Sequence, residues 1–196
     1  MIRSFIAIDL TPDVRRGLGA AQQKLRAALE DEPIRWVRPE GVHLTLKFLG
    51  DQPPDRIERI GDVLSRWAQG GSPLDLEIGS AGAFPDLARP RVLWVGIREP
   101  SGRLVEWVDR LENGLEGLGI RREDRPFFPH LTLARVKDRL TPRGLETLRG
   151  HLEGLKGERI GEQRAEAVTL FRSDLRPAGA VYTVLLTAPL GREKPE

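Results

Sequence analysis

The sequence predicts an α+β fold: two pseudo-symmetric lobes, with mainly antiparallel sheets flanked by helices around a central cleft. Three observations carry this expectation. Helical and strand patterns intermix without strict β-α alternation, and several strand patterns are neighbours in sequence, which favours antiparallel pairing over a doubly wound parallel sheet. The rhythm of the first half recurs in the second. One tetrapeptide, His-Leu-Thr-Leu, stands at 43–46 and again at 130–133, an offset near half the chain. No linker or low-complexity stretch parts the halves. Residues 1–196 therefore read as one bilobal domain with one copy of the tetrapeptide per lobe.

The elements follow in order. Residues 4–9 read as a buried strand through Phe5, Ile6 and Ile8. Thr11-Pro12-Asp13 is a helix start, with Thr at the N-cap, Pro in the first turn and an acid at the positive end of the dipole. Val14, Leu18, Ala21, Leu25 and Leu29 continue at helical spacing to about residue 30. Residues 34–37 form a short strand candidate and 42–49 a strong one. Pro53-Pro54 opens a second helix carrying Ile57, Ile60, Leu64 and Trp67. Residues 74–78 and 91–97 are strands, 102–118 a helix, and 127–136 a strand. Thr141-Pro142 starts another helix by the same device, with Leu145, Leu148 and Leu152. Residues 165–171 and 180–186 form two strands joined by a hairpin over 172–179, and the tail from 189 to 196 is expected to fray.

Composition narrows the function. The chain has 196 residues, 39% hydrophobic and 31% charged, enough to bury a core. No apolar run reaches a membrane span, and the N-terminus lacks signal-peptide character, so a cytoplasmic protein is expected. Cysteine is absent, which excludes disulfides, thiol nucleophiles, Fe–S clusters and thiolate zinc sites. Glycine-rich nucleotide fingerprints and P-loops are also absent. The 31 basic residues are 26 Arg and 5 Lys. Guanidinium forks match phosphate oxygens, although a GC-rich genome is the simpler explanation of the overall bias.

The repeated tetrapeptide carries the chemistry. Side chains alternate along a strand, so His43, Thr45 and Lys47 share one face, while Val42, Leu44, Leu46 and Phe48 share the other. His130 and Thr132 likewise face away from Leu131 and Leu133. Each lobe then buries its leucines and presents one imidazole and one hydroxyl. Two such pairs facing each other suit a cyclic phosphodiester. One His activates water, the other protonates the departing oxygen, and hydroxyls donate to the non-bridging oxygens. Both limbs of the pH profile are then expected near neutrality. Two of the three histidines lie in identical strands, whereas His151, late in a polar helix, reads as a surface residue. No acid lies within either tetrapeptide, so a metal centre is not expected.

The segments RSFIAIDL, GVHLTLKFLGD, GAFP followed by PRVLWVGI, FFPHLTLARV and LFRSDLRPAGAVYTVL stand in this order across nearly the whole chain. In these, the sequence resembles the two-histidine (2H) phosphoesterase superfamily, and within it the RNA 2′,3′-cyclic phosphodiesterases, also called the 2′-5′ RNA ligase family. The resemblance implies hydrolysis of RNA 2′,3′-cyclic phosphate ends to 2′-phosphomonoesters, without metal or other cofactor, and in some members ATP-independent, reversible 2′-5′ ligation. It implies His43 as proton donor and His130 as proton acceptor, an asymmetry that the residues themselves leave open. It matches Thr45 and Thr132 to phosphate-binding hydroxyls and Arg135 to a phosphate-contacting basic residue. Simple alternation puts Arg135 on the leucine face, so a strand end or bulge must turn it into the cleft. Lys47 is a further phosphate-binding candidate by parity, and Phe84 a candidate for stacking on a terminal base. Of Phe127 and Phe128, one is expected in the core and one at the cleft. The expected partner is an RNA end, met by a monomer away from any membrane. Two alternatives stand beside it: a 2H phosphodiesterase acting on a small cyclic phosphate or a 2′,5′-oligonucleotide, and a non-catalytic module that binds RNA ends.

Overall fold

A computed structural model describes residues 1–177 and 179–191. Among them run β1 (Ile2–Ile8), α1 (Pro12–Ala28), β2 (Ile34–Trp36), β3 (Leu44–Gln52), α2 (Pro54–Gln69), β4 (Leu74–Phe84) and β5 (Val92–Arg98). Then come α3 (Arg103–Glu116), β6 (His130–Val136), α4 (Pro142–Gly154), β7 (Arg159–Ala165), β8 (Ala167–Arg176) and β9 (Gly179–Pro189). The two Thr-Pro helix starts work as the sequence predicts. The hydroxyl of Thr11 accepts from the Val14 N–H at 3.4 Å, and that of Thr141 accepts from the Gly144 N–H at 2.9 Å.

All strand pairings among the described residues are antiparallel. The strands form one curled sheet in the order β7-β4-β5-β6-β3-β1-β8-β9, with β2 paired to β6. A single register pair, Leu44 with Leu131, joins β3 to β6 at the middle. The lobes on either side are not the two halves of the chain. A strand from each half crosses over: β4 pairs with β5, the neighbour of β6 and the second tetrapeptide, while β8 pairs with β1, the neighbour of β3 and the first. One side of the sheet is closed by the helices, whose apolar stripes (Val14, Leu18 and Leu25; Ile60 and Leu64; Leu111 and Leu115; Leu148 and Leu152) enter one core with Leu44, Leu131 and Leu133. Each fully buried leucine contributes about 1.5–3 kcal/mol, so this packing fixes which face of β3 and β6 is left for chemistry.

Several boundaries move. β4 runs to Phe84, six residues beyond the expected end, despite glycines at 79 and 82. β7 carries no apolar alternation (Arg-Ile-Gly-Glu-Gln-Arg-Ala) and lies outside the expected elements; it forms because the open edge of β4 offers it a ladder. The expected fraying fails for residues 189–191: β9 includes Pro189, the Leu190 side chain is buried, and the Leu190 and Gly191 N–H groups donate to the carbonyls of Glu166 and Ala68. The rest of that expected tail, 192–196, lies outside the described residues. The 172–179 hairpin forms, with Arg176 opposite Gly179. No helix among the described residues is long and apolar enough to cross a membrane.

Candidate active site

The pairing of Leu44 with Leu131 sets the geometry. Continuing that register by one residue puts His43 across from Thr132 and Thr45 across from His130, all on the face away from the core. The two histidines are then diagonal neighbours, with backbones roughly 7–8 Å apart. The site is thus built from the two tetrapeptides directly.

Each histidine sits in an aromatic setting that the strand exchange helps to build. The His43 ring stacks on Phe5 at 4.5 Å and meets the edge of Tyr182 at 5.1 Å, with Phe171 beyond at 6.2 Å. Phe171 and Tyr182 come from β8 and β9. This desolvation lowers the His43 pKa from 6.5 to about 4; Asp9 and a hydrogen bond to the Gly41 carbonyl oppose the fall, and Arg15 adds to it. Arg15 also ties the loop before His43 in place. Its guanidinium donates to the carbonyls of Leu10, Pro39 and Val42 and pairs with Asp9. His130 is ringed by Phe84 from β4, edge-on at 5.0 Å, and by Phe128 at 6.2 Å. Its Nδ1 lies 2.8 Å from the Phe128 carbonyl, which only accepts, so Nδ1 carries the hydrogen and Nε2 is free for a proton. Both rings therefore bond a carbonyl two residues upstream. The Thr45 and Thr132 side chains are half-buried, and among the described residues neither hydroxyl has a protein partner.

Beyond the threonines the strands break parity at the same place. In β3, Ile6 stands opposite Lys47 and Ala7 opposite Thr45, so Leu46 is an extra, bulged residue. In β6, Leu93 stands opposite Ala134 and Trp94 opposite Thr132, so Leu133 is bulged. Each bulge turns the next residue inward and the following one into the cleft. This corrects two expectations. Lys47 does not line the cleft: it is buried on the core side, where its Nζ donates to Glu112 Oε2 at 2.8 Å and to the Arg121 carbonyl at 2.7 Å. Phe48, expected among the core leucines, is 60% exposed and lies 6.3 Å from Phe5. The bulge in β6 supplies what Arg135 needed. Arg135 is exposed, stands opposite Val92, and its charge is felt by Tyr182, whose pKa burial raises and Arg135 and Arg3 lower. The equivalent positions five residues after each histidine are thus Phe48 in one lobe and Arg135 in the other, an asymmetry that alternation alone hides.

Phe84 is half-buried, held against Trp94 at 5.3 Å and Phe128 at 5.5 Å. Phe127 packs against the core while Phe128 is 48% exposed at the cleft, as the sequence expected of the pair. His151 is exposed, with Nδ1 at 2.9 Å from the Thr147 carbonyl of its own helix. Among the described residues no three His, Asp or Glu side chains gather as metal ligands would. Sequence reasoning missed Phe5, Phe171, Tyr182, Trp94 and Arg15. Their aromatic and basic character was visible, but their distance in sequence from the histidines left no signal of proximity.

Two His-x-Thr pairs sharing one face of an antiparallel strand pair define a phosphoesterase of the two-histidine class. The chain belongs to the LigT-like phosphoesterase family: it matches that family, described as LigT like Phosphoesterase, twice, over residues 8–94 and 95–182. It is 34% identical over 185 residues to an RNA 2′,3′-cyclic phosphodiesterase of Methanothermobacter thermautotrophicus, covering 93% of this chain and 95% of that protein. Among solved structures it resembles the protein TT0787 of Thermus thermophilus, with a TM-score of 0.81, 32% identity, and coverage of 98% of this chain and 100% of the other. It also resembles E. coli LigT complexed with 3′-AMP, with a TM-score of 0.74, 26% identity, and coverage of 96% and 98%.

Proposed function

We propose that the protein hydrolyses the 2′,3′-cyclic phosphate at the end of an RNA strand to a 2′-phosphomonoester, without a metal ion. The observation that carries this reading is the meeting of both His-x-Thr pairs across the Leu44–Leu131 pairing. The relatives named as RNA 2′,3′-cyclic phosphodiesterases support the same substrate class.

The cyclic phosphate seats between the histidines, its non-bridging oxygens taking hydrogen bonds from the Thr45 and Thr132 hydroxyls and from Arg135. The Nε2 of His130 accepts a proton from water as the water oxygen bonds phosphorus. The P–O3′ bond breaks in line, and the 3′-oxygen takes a proton from His43. Each proton transfer contributes about 10²–10⁴ in rate. His43 presents a particular demand. With a pKa of about 4 its ring is neutral in the empty cleft at pH 7. The phosphodiester monoanion beside it favours the imidazolium, so substrate binding loads the donor. The exposed face of Phe128, with Phe84 behind it, supports the terminal base. Run backwards with a 5′-hydroxyl in place of water, the same groups exchange roles and would make a 2′-5′ linkage.

The test is incubation of an oligoribonucleotide ending in a 2′,3′-cyclic phosphate with the protein in EDTA, followed by phosphorus NMR of the product. A 2′-phosphomonoester formed in the chelator is expected. Loss of activity restored by a divalent ion overturns the mechanism, and a 3′-phosphate product overturns the assignment of the leaving oxygen.

A further inference from the structure

β2 is only three residues long, yet it puts Arg35 directly opposite Arg135. Residues directly opposite on antiparallel strands share a face with Cβ atoms about 5 Å apart, and like charges there destabilise the pair. Among the described residues neither arginine holds a carboxylate. Cations elsewhere on this surface do find acids: Arg98 holds Glu77 at 2.8 Å and Arg122 holds Asp109 at 3.1 Å.

Past Arg35, along the unpaired edge of β2, the surface opens into a groove of about 470 Å³ whose walls include Arg26, Arg38, Lys137 and the half-buried Trp36. Arg26, Arg38 and Lys137 likewise lack ion-pair partners among the described residues. The one carboxylate in the groove, Glu32, is committed elsewhere: it accepts from the Thr141 N–H at 2.9 Å and from its hydroxyl at the start of α4. A line of uncompensated cations thus leads from Arg135, at the catalytic face, over Arg35 into an open groove with an aromatic wall. Single-stranded nucleic acid is held by this combination, a cationic groove along the backbone with an aromatic surface beside it.

We propose that Arg35, Arg38 and Lys137 hold phosphates of the RNA strand on the 5′ side of the reacting end, so that the protein prefers a cyclic-phosphate oligonucleotide to a mononucleotide. The inference rests on the cleft being the RNA-end site proposed above.

The experiment compares a nucleoside 2′,3′-cyclic phosphate with a decaribonucleotide bearing the same end, using the wild type and an Arg35→Gln/Arg38→Gln/Lys137→Gln variant. All three side chains lie outside the core, so the variant retains its packing. The wild type is expected to favour the decamer by at least about tenfold in kcat/KM at low salt. The variant should lose that advantage while turning over the mononucleotide within about twofold of wild type. Its log–log salt slope for the decamer should shrink by about 2, from three lost contacts at roughly 0.7 each. Equal handling of both substrates by the wild type, or equal loss on both in the variant, overturns the proposal. Fluorescence anisotropy of a labelled decamer with a 3′-phosphate separates the two readings. If neither substrate turns over but the variant binds the decamer at least about tenfold more weakly, the enzyme reading fails and the groove stands. If the decamer is hydrolysed but binds both proteins alike, the groove fails alone.

Discussion

Replacing Lys47 with Met decides between the role that strand alternation predicts and the one that the bulge produces. In the structure the Lys47 and Glu112 side chains are 1% and 6% exposed, and their charges meet at 2.8 Å. Met fills the aliphatic space and removes the charge. It leaves a buried carboxylate unpaired and the Arg121 carbonyl without its 2.7 Å donor. Breaking a buried pair from one side costs about 3–5 kcal/mol, with the orphaned carbonyl included in that figure. Glu123, 3.6 Å away but 58% exposed, offsets little of it, since Lys47 is also the partner it loses. Lys47→Met is therefore expected to lower the urea-unfolding free energy by at least about 3 kcal/mol at pH 7 with the m-value unchanged. Lys47→Met/Glu112→Leu should recover most of the loss, because removing both charges takes away the unpaired carboxylate. At a temperature where the variant stays folded, KM for a cyclic-phosphate substrate should lie within about threefold of wild type, since no contact to phosphate is removed. A variant of wild-type stability with KM raised about tenfold or more would place the amine in the cleft and refute the bulge reading.

The proposed catalytic pair and its protonation give two further tests. His43→Ala and His130→Ala should each lower kcat by about 10²–10⁴, and the double variant should fall far short of the product of the two losses, because acid and base act as one unit. His151→Ala should leave turnover unchanged; equal losses at all three histidines would contradict the site. With its depressed pKa, His43 loses its proton first in the free enzyme, so the pair becomes singly protonated, and the acid limb of the kcat/KM profile moves, from the neutrality expected of free imidazoles to about 4, the form with the proton on the His43 donor then being the minor one. The sign for stability follows from the same shift. The folded state favours neutral His43, so its contribution is full above pH 6.5 and is lost as pH falls from 6.5 through about 4. That loss amounts to about 3 kcal/mol. Proton NMR titration of the His43 ring and urea midpoints at pH 7 and 4 for the wild type and His43→Leu check both; a ring titrating near 6.5 would refute them.

The helix starts, the leucine faces and the residues proposed as catalytic were all legible in the bare sequence. Thr11-Pro12 and Thr141-Pro142 cap helices through contacts three residues long, and His43 shares a face with Thr45, and His130 with Thr132, by the period of a strand. Such features depend only on near neighbours and survive any arrangement of the rest. Phe127 and Phe128 divided between core and cleft as expected, although both precede β6. Everything that needed two distant segments to meet came from the folded chain. The bulges at Leu46 and Leu133 exist only because β1 and β5 pair with a fixed register, and they bury Lys47 while turning Phe48 and Arg135 outward. The exchange of β4 and β8 brings Phe84 to His130 and Phe171 and Tyr182 to His43. Burial among those rings, not the imidazole itself, sets where His43 titrates. Alternation along a strand is a local rule; one residue inserted by the demands of a neighbouring strand reverses it.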